Sequence, residues 1–216
     1  LCDVGPASQK ELSYFTVASS AIIKTMAQKG AVEVFEYEVY RRPKILKAQE
    51  QTQETVLSDE QQSAYIQLEK EYTAKKGGTA LLYGVTGSGK TAVFLKLIEH
   101  VIGQGQSVIL MVPEISLTAQ TISLFTGYFG ENIAVFHSAL SLGERLDEWK
   151  RVMRSEAKIV IGTRSAVFAP VQNLGLIVID EEQEHTYKSE SSPRYDAREI
   201  ARYRCKTGRA LCLLSS

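Results

Sequence analysis

The chain has 216 residues, which is enough for one large domain or for a large domain and a small one. Its 25 Lys and Arg residues balance its 25 Asp and Glu residues, so the formal net charge is zero. This balance excludes a basic field over the whole chain, and any contact with nucleic acid has to come from a local patch.

Cysteine usage and the two termini indicate the compartment and the kind of molecule. The three cysteines, Cys2, Cys205 and Cys212, form no C-x-x-C pair, so the pattern predicts reduced thiols and no zinc site. No apolar run approaches the length of a membrane span, and the N-terminus lacks the pattern of a signal peptide. The chain starts without Met and stops directly after an apolar strand. We expect a cytoplasmic piece of a longer protein, with no membrane partner.

Residues 1–43 have the texture of a small α+β domain. The stretch "QKELSYF" predicts a first short helix, and a second helix is expected from about Ser19 to Lys29, ended by Gly30. Residues 31–43, "AVEVFEYEVYRRP", alternate apolar and polar side chains, which is typical of a half-buried strand or hairpin. Helix, helix and hairpin follow each other in this order in a winged-helix DNA-binding domain. A generic small α+β subdomain has the same pattern, so both interpretations stay open.

The texture changes to α/β after a polar linker at residues 44–57. From residue 58 onward, apolar strands alternate with helical patterns, and the strands are nearly continuous apolar runs. Such runs are typical of a parallel sheet that is covered on both faces, so the pattern predicts a doubly wound α/β domain over residues 58–216. Strands are expected at 79–84, 107–112, 133–137, 158–162, 174–179 and 210–214, and helices near 58–75, 90–102, 116–128, 141–154 and 195–206.

A phosphate-binding motif follows the first predicted strand. Residues 84–91, "GVTGSGKT", fit G-x-x-x-x-G-K-[ST] and precede a predicted helix, which is the context that a P-loop requires. Backbone N–H groups and the helix N-terminus then bind phosphate, Lys90 reaches the β- and γ-phosphates, and Thr91 ligates Mg²⁺. The alternative is a Gly-rich turn that binds nothing. The other expected members of the nucleotide site are Gly84, Thr86, Gly87, Ser88 and Gly89.

Two acids follow the fifth predicted strand. "LGLIVIDEE" is an apolar run that ends in Asp180 and Glu181. Because ligands bind at the carboxyl ends of parallel strands, these acids are expected to meet the phosphate loop at one edge of the sheet. Asp180 would hold Mg²⁺ through water, because this ion keeps most of its hydration shell, and Glu181 would polarise the attacking water. An acidic helix start is the alternative. Lys90, Asp180 and Glu181 are therefore the expected catalytic residues for hydrolysis of a nucleoside triphosphate.

Further motifs identify a family. "LSDEQ" (57–61), "VPEISLTAQ" (112–120), "HSALS" (137–141), "GTRSAVFAP" (162–170) and "DEEQ" (180–183) occur in this order along the chain. With them the chain resembles the bacterial primosomal replication-restart helicases of superfamily 2 over essentially its whole length. The resemblance implies a RecA-like P-loop NTPase lobe at 58–216, the first of two helicase lobes, preceded by the family's winged-helix domain at 1–43.

The resemblance also implies an activity and its partners. The family's enzymes use ATP and Mg²⁺ to move 3′→5′ on DNA at stalled forks, and they assemble the primosome there. Forked DNA, single-strand/duplex junctions, other primosome proteins and single-stranded DNA-binding protein are the implied partners, in the bacterial cytoplasm. Gln61 is the implied reader of adenine. The arginine finger and the zinc-binding cysteines belong to the second lobe, so the chain by itself is expected to be nearly inactive and without zinc.

Several residues near the acids are expected to contact or sense DNA. The resemblance puts Arg164 on the DNA-facing side of the lobe, where it would bind phosphates. An intramolecular salt bridge of Arg164 is the alternative. Gln183 stands where the family usually has His, so it can bond a neighbouring loop but cannot become charged. In the following loop, "YKSESSPRY", Tyr187 and Tyr195 would stack on unpaired bases while Lys188 and Arg194 meet the backbone.

That loop has other interpretations, and so does the whole chain. The loop is also typical of a solvated turn, and Tyr195 fits the start of the next helix. For the chain, the leading hypothesis is a helicase lobe whose aromatic loop couples DNA binding to ATP hydrolysis. The alternatives are a nucleotide-gated DNA-binding module without catalysis and another superfamily 2 P-loop DNA translocase.

Overall fold

The structure is a computed structural model, and it describes residues 8–16, 18–35, 56–85 and 87–216. The chain divides into two compact units, Leu1–Val39 and Tyr40–Ser216. No helix in the described ranges has the length and apolar character that a bilayer crossing demands.

The first unit contains two short helices where the sequence predicts them. They are α1 (Gln9–Thr16) and α2 (Ser20–Gln28). The Ser19 hydroxyl accepts a hydrogen bond from the backbone N–H of Ile22 at 3.4 Å, which satisfies one of the free donors at the start of α2. Residues 31–35 form no strand, contrary to the first part of the predicted hairpin. Residues 36–43 lie outside the described residues, so the winged helix stays a prediction.

The second unit has the predicted alternation of helices and strands. Every expected strand and helix of this unit is present within about three residues of its expected bounds. The linker expected at 44–57 lies outside the described residues up to 55, and residues 56–58 have no regular structure. The elements are α3 (Asp59–Thr73), β1 (Thr79–Leu82), α4 (Lys90–Gly103), β2 (Ser107–Met111), α5 (Ala119–Phe129), β3 (Ile133–Phe136), α6 (Leu142–Met153), β4 (Ile159–Gly162), β5 (Leu174–Ile179), α7 (Ala197–Gly208) and β6 (Leu211–Ser215).

The strands form one parallel sheet in the order β1-β6-β5-β2-β4-β3. The last strand, β6, therefore lies between β1, which precedes the phosphate loop, and β5, which precedes the acids. The four central strands are buried along almost their whole length, which explains their continuous apolar sequence. All carboxyl ends of the strands lie at one edge, and the predicted α/β fold with a parallel sheet is confirmed.

Helices cover both faces of the sheet. One buried cluster is built with side chains of α3, α4 and α5, among them Tyr72, Phe94 and Phe125. The other is built with side chains of α6 and α7 and of the 3₁₀ turn Arg164–Phe168. The sheet is thus held rigidly between two apolar layers, and the loops at its carboxyl edge are anchored at both ends by buried elements.

Helix α6 is attached to the sheet by a buried ion pair. The Glu148 side chain is fully buried, and one of its oxygens accepts a hydrogen bond from Arg151 at 2.7 Å. Its other oxygen accepts the backbone N–H of Val135 at 2.9 Å. Arg151 also donates to the carbonyls of Ile133 (3.2 Å) and Glu131 (2.6 Å). Since β3 is an edge strand, Glu148 and Arg151 provide the partners that a neighbouring strand would otherwise supply on that side.

Candidate active site

The phosphate loop joins β1 to α4, as predicted. Gly87 and Gly89 have φ values of +84° and +79°, a backbone conformation that favours glycine. Helix α4 begins at Lys90, whose ammonium donates to the carbonyl of Gly84 and, at 3.4 Å, to that of Val85. The structure therefore holds the lysine over the loop's own backbone, where its charge is available to a phosphate group. Ser88 is exposed, Thr91 lies half-buried in the first turn of α4, and Thr86 lies outside the described residues.

Gln61 is tied to this loop. Its side-chain nitrogen donates to the carbonyl of Ser88 at 2.9 Å, and its side-chain oxygen accepts the N–H of Ser58 at 2.9 Å. Ser58 and Gln61 together form a capping box at the start of α3. A Cβ added at Gly89 would lie 2.3 Å from the Gln61 nitrogen, so a side chain there would displace the Gln61 amide and would also be strained by the backbone φ of +79°. Gln61 thus anchors the phosphate loop, and its reading of adenine stays a prediction.

Asp180 follows β5 directly and faces the same edge. Its backbone N–H continues the sheet by donating to the carbonyl of Met111 at 2.9 Å. Its Oδ1 accepts hydrogen bonds from the Ser215 hydroxyl at 2.8 Å and from the Glu181 N–H at 3.1 Å. Within the described residues, Oδ2 has no hydrogen-bond partner. One carboxylate oxygen is therefore held in place while the other stays available to a ligand.

Two serines at the end of the chain connect the phosphate loop with the acids. Ser216 accepts the N–H of Gly84 at 3.0 Å and donates its own N–H to Leu82 at 3.1 Å. Ser215 binds Asp180 through its hydroxyl and accepts the Glu182 N–H at 2.8 Å through its carbonyl. The two motifs thus meet at one edge, as the sequence predicts. The role of the serines was missed, because the sequence does not reveal that β6 lies between β1 and β5.

Glu181 has the geometry and the electrostatics of a strained, partly desolvated acid. Its φ of +46° is unusual for a residue with a side chain. Partial burial raises the pKa of the Glu181 carboxyl, and the charges of Asp180 and Glu184 raise it further, while Lys90 opposes the rise. Such a carboxylate binds a proton more readily than a free one, which suits a group that orients and deprotonates water.

The donor set fits Mg²⁺ and not a metal held by protein alone. No group of three His, Cys, Asp or Glu side chains gathers as a metal cage anywhere in residues 8–16, 18–35, 56–85 and 87–216. Magnesium keeps most of its water shell and is usually held by one or two protein oxygens together with phosphates. Oδ2 of Asp180 and the Thr91 hydroxyl are oxygen donors of this kind. The predicted magnesium site is thus compatible with the residues present, and its ligands stay a prediction.

Tyr187 does not lie where base stacking requires it. Its side chain is fully buried, and its hydroxyl oxygen lies 2.5 Å from the carbonyl of Asp180 and 3.1 Å from that of Met111. Burial and three nearby acids raise the pKa of the phenol, so it remains a proton donor. The expectation that Tyr187 stacks on DNA is therefore wrong for this structure. From inside the core, the residue supports the turn that carries Asp180 and Glu181, called the acid turn below. In the sequence, a buried tyrosine and a base-stacking one look alike.

Arg164 binds the loop after the acids. Its guanidinium donates to the carbonyl of Thr186 (3.3 Å), in the middle of the 3₁₀ turn His185–Tyr187, and to that of Lys188 (3.4 Å), which follows the turn. The alternative of an intramolecular salt bridge is not what the described residues show, because Arg164 binds backbone carbonyls and no carboxylate. A contact between Arg164 and a DNA phosphate would have to replace or share these bonds, so it stays a prediction.

The other loop residues are accessible in different degrees. Lys188 and Arg194 are exposed. Tyr195 is half-buried, and its ring meets the ring of Phe168 edge to face at a centroid distance of 5.0 Å. It precedes α7, which begins at Ala197. Gln183 is exposed, and its side-chain oxygen accepts the Ser216 hydroxyl at 3.1 Å. Gln183 therefore bonds a neighbouring segment, as its chemistry allows, and the DNA contacts of this group stay predictions.

Comparison with known proteins identifies the family. A family model described as DEAD/DEAH box helicase matches residues 58–216, which is the whole α/β region that carries the phosphate loop and the acid turn. The chain belongs to the DEAD/DEAH box helicase family. This membership agrees with the RecA-like sheet and with the two motifs at its carboxyl edge.

Within this family, the chain is similar to replication restart proteins named PriA. Replication restart protein PriA of Bacillus subtilis is 48% identical over 191 residues, covering 88% of this chain and 24% of that protein. PriA of Synechocystis is 39% identical over 210 residues, covering 92% of this chain and 24% of that protein. PriA of Treponema pallidum is 51% identical over 134 residues, covering 62% and 20%. These matches confirm the resemblance seen in the motifs. The chain spans about a quarter of the length of these relatives.

A solved structure is more distant. The C-terminal domain of the DEAD-box protein Dbp5 is 14% identical, with a TM-score of 0.44 over 66% of this chain and 78% of that one. A likeness at this level supports no argument.

Proposed function

We propose that this chain carries the first, nucleotide-binding lobe of an ATP-dependent DNA helicase that acts in replication restart and moves 3′→5′. The observation that supports this most directly is the pair of serines that joins the phosphate loop to the acid turn. Ser216 holds the start of the loop and Ser215 holds Asp180, so a nucleotide bound at the loop would meet the acids. Membership of the helicase family and the likeness to PriA support DNA as the substrate.

The residues of the site divide the chemistry between them. Backbone N–H groups of the loop and Lys90 would bind the phosphates, exchanging the bonds that the ammonium now makes to Gly84 and Val85. Asp180 and Thr91 would hold Mg²⁺, and a bound Mg²⁺ would neutralise negative charge on the phosphates. Glu181 would orient the attacking water and accept its proton, which its raised pKa favours.

The DNA-binding part of the proposal rests on the loop after the acids and on the first unit. Lys188 and Arg194 are exposed and carry the charge that a DNA backbone attracts, and Tyr195 has part of its ring accessible. Residues 1–43 would add a winged-helix contact. By resemblance to PriA, the partners would be forked DNA, single-stranded DNA-binding protein and other primosome proteins. The described cysteines, Cys205 and Cys212, are buried free thiols, which supports a reducing bacterial cytoplasm.

Replacement of Glu181 by Gln in the full-length protein tests the catalytic assignment. Gln keeps the size and one hydrogen-bonding oxygen but cannot accept the proton. We therefore expect ATP turnover in the presence of forked DNA to fall by about 10²–10⁴-fold, the range for a lost general base, with nucleotide binding retained.

The control is Glu184→Gln, which removes a neighbouring acid and leaves the backbone bond from the Glu184 N–H to the Glu181 carbonyl in place. It should retain most of its turnover. Full turnover by Glu181→Gln would contradict the assignment and favour a nucleotide-gated DNA-binding module without catalysis.

A further inference from the structure

One guanidinium joins the two ends of the loop that follows the acids. This loop, the acid-turn loop, comprises residues 183–195. Arg198 lies in the first turn of α7, beyond the end of the loop. Its Nη1 donates to the carbonyl of Glu182, which immediately precedes the loop, at 2.9 Å. Its Nε and Nη2 donate to the two carboxylate oxygens of Asp196, which immediately follows the loop, at 2.9 and 2.7 Å.

The contact with Asp196 is strong and sterically defined. It is a bidentate pair, the geometry in which a guanidinium and a carboxylate bind best. Hydrogen bonds from Arg198 lower the pKa of the Asp196 carboxyl, so the pair is charged at neutral pH. Asp196 also caps α7 by accepting the backbone N–H of Arg198 at 2.9 Å. The capping bond would exist without the guanidinium, so helix capping does not explain the side-chain fork.

The contact with Glu182 acts on the catalytic turn. The N–H of Glu182 donates to the carbonyl of Ser215 at 2.8 Å, and its carbonyl accepts from Arg198. Both peptide groups of Glu182 are thus held, and the residue before it is Glu181 with its φ of +46°. A strained residue keeps its conformation only while its surroundings fix it. Release of the Glu182 carbonyl would therefore free the backbone that orients Glu181.

The far side of the acid-turn loop is bonded to the segment that carries Asp196. Lys188 and Asp196 form an isolated antiparallel bridge, and the Ser189 N–H donates to the Tyr195 carbonyl at 2.8 Å. The exposed cations Lys188 and Arg194 belong to the same stretch. If this stretch is displaced, either Asp196 is displaced with it or the bridge between Lys188 and Asp196 breaks. A displaced Asp196 would in turn shift Arg198, because two hydrogen bonds join the two side chains.

We propose that Arg198 is a positioning residue that transmits the state of the acid-turn loop to Glu181 through the Glu182 carbonyl. The proposed role works through the protein's own backbone and requires no contact of Arg198 with nucleotide or DNA. The inference rests on the proposed function, since it concerns how loop contacts with DNA change ATP hydrolysis. Its specific content is that the loop acts on the catalytic acid through one side chain, which can be removed without changing the loop's own sequence.

The test compares Arg198→Gln with Arg202→Gln in the full-length protein. Arg202 lies one turn further along α7 and pairs only with the exposed Glu199 among the described residues, so it is a matched control. ATP turnover is measured without DNA and with saturating forked DNA, and DNA affinity by fluorescence anisotropy. For Arg198→Gln we expect the DNA-stimulated kcat to fall about tenfold or more, the rate equivalent of one charged hydrogen bond. Basal kcat should fall by a clearly smaller factor than the stimulated kcat, while KM for ATP and DNA affinity should stay within about twofold.

A second variant separates positioning from folding. Asp196→Asn retains a good helix cap but removes the charged fork, so it should reproduce the loss of stimulation without loss of thermal stability. The double variant should be no worse than either single one, because both act on one link.

The outcomes distinguish this inference from the proposed function. Equal loss of basal and stimulated kcat in Arg198→Gln, or full stimulation in either variant, would overturn the inference alone. A wild-type protein whose ATP turnover does not respond to DNA would overturn the proposed coupling and the inference with it.

Discussion

Tyr187 shows how a single side chain supports the catalytic edge from within. Its ring fills the layer between the sheet and α7, and its hydroxyl reaches the carbonyl of Asp180 behind the acid. The carbonyl of Met111, its second neighbour, already accepts the Asp180 N–H. The carbonyl of Asp180 therefore depends more on the phenol than that of Met111 does.

Replacement of Tyr187 by Phe isolates this hydrogen bond. Because Phe preserves the buried ring but leaves a buried carbonyl without its donor, we expect the free energy of unfolding to fall by roughly 1–3 kcal/mol. Denaturation by urea measures it. Tyr203→Phe is the control. That side chain is 72% exposed, so loss of its hydroxyl should leave the free energy of unfolding unchanged.

The DNA affinity of Tyr187→Phe decides between a supporting role and a DNA-contacting role for this residue. An unstable Tyr187→Phe protein with normal DNA affinity fits a supporting role. A stable variant with weakened DNA binding would restore Tyr187 to the DNA-contacting group. Sequence alone could not decide this, because the alternation of tyrosines and cations is the same in both cases, and only the buried position of the ring separates them.

At the scale of elements, two ion pairs of identical spacing differ in their surroundings. Glu148 and Arg151 in α6 and Glu199 and Arg202 in α7 are both (i, i+3) pairs, with closest N–O distances of 2.7 and 2.8 Å. The first is buried and also bonds the backbone of β3, whereas the Glu199 side chain is 71% exposed. Burial, and not distance, should therefore decide what each pair contributes.

Alanine at each glutamate measures the difference. Glu148→Ala leaves the Arg151 charge buried and the Val135 N–H without an acceptor, so we expect a loss of about 3–5 kcal/mol in the free energy of unfolding. Glu199→Ala should cost less than about 0.5 kcal/mol, because water screens the pair and replaces it. Equal effects in chemical denaturation would show that burial does not govern these pairs.

The sequence predicted α6 as an element but not how it attaches. A serine three residues before a glutamate marks the start of the helix, and the structure has that capping box at Ser141 and Glu144. The inward direction of Glu148 and Arg151 has no such signal, since charged residues at helical spacing usually form a solvated face. Their partner is a strand edge, which exists only once the sheet has assembled.

For the whole molecule, the second unit has a complete core of its own. Among the described residues, every member of the two buried clusters lies between Leu68 and Leu214, and the clusters cover opposite faces of one sheet. A sheet enclosed by two apolar layers is the arrangement that allows a domain to fold independently.

A chain of residues 56–216 tests that independence. We expect it to unfold in a single cooperative transition, with far-ultraviolet and near-ultraviolet circular dichroism changing together. Loss of the near-ultraviolet signal before the far-ultraviolet one would mean that these residues do not pack a native core alone. Wild-type chain of full length serves as the reference.

Features that depend on residues near each other in the chain could be predicted from the sequence. Features that depend on contacts between distant residues could not. The strands and helices of the second unit depend largely on neighbouring residues, and the sequence predicted each of them, whereas the strand expected over residues 31–35 does not form. The place of β6 in the sheet depends on pairing with β1 and β5, which are distant in the chain. Ser215, Ser216 and Arg198 acquire their roles only through that pairing and through the packing of α7, so their contribution to the site was not predicted.

The carboxylate of Glu148 also has a consequence for association between molecules. The outer strand of an open sheet offers unpaired amides on which a foreign strand can add, and this is a common beginning of aggregation. At β3, the Val135 amide is already used by a side chain from the same molecule. A strand from another chain that added there would have to expel a buried, charge-paired glutamate. This end of the sheet is therefore protected against growth by two helix residues, Glu148 and Arg151, and a substitution that frees the amide would expose an edge on which a foreign strand can pair.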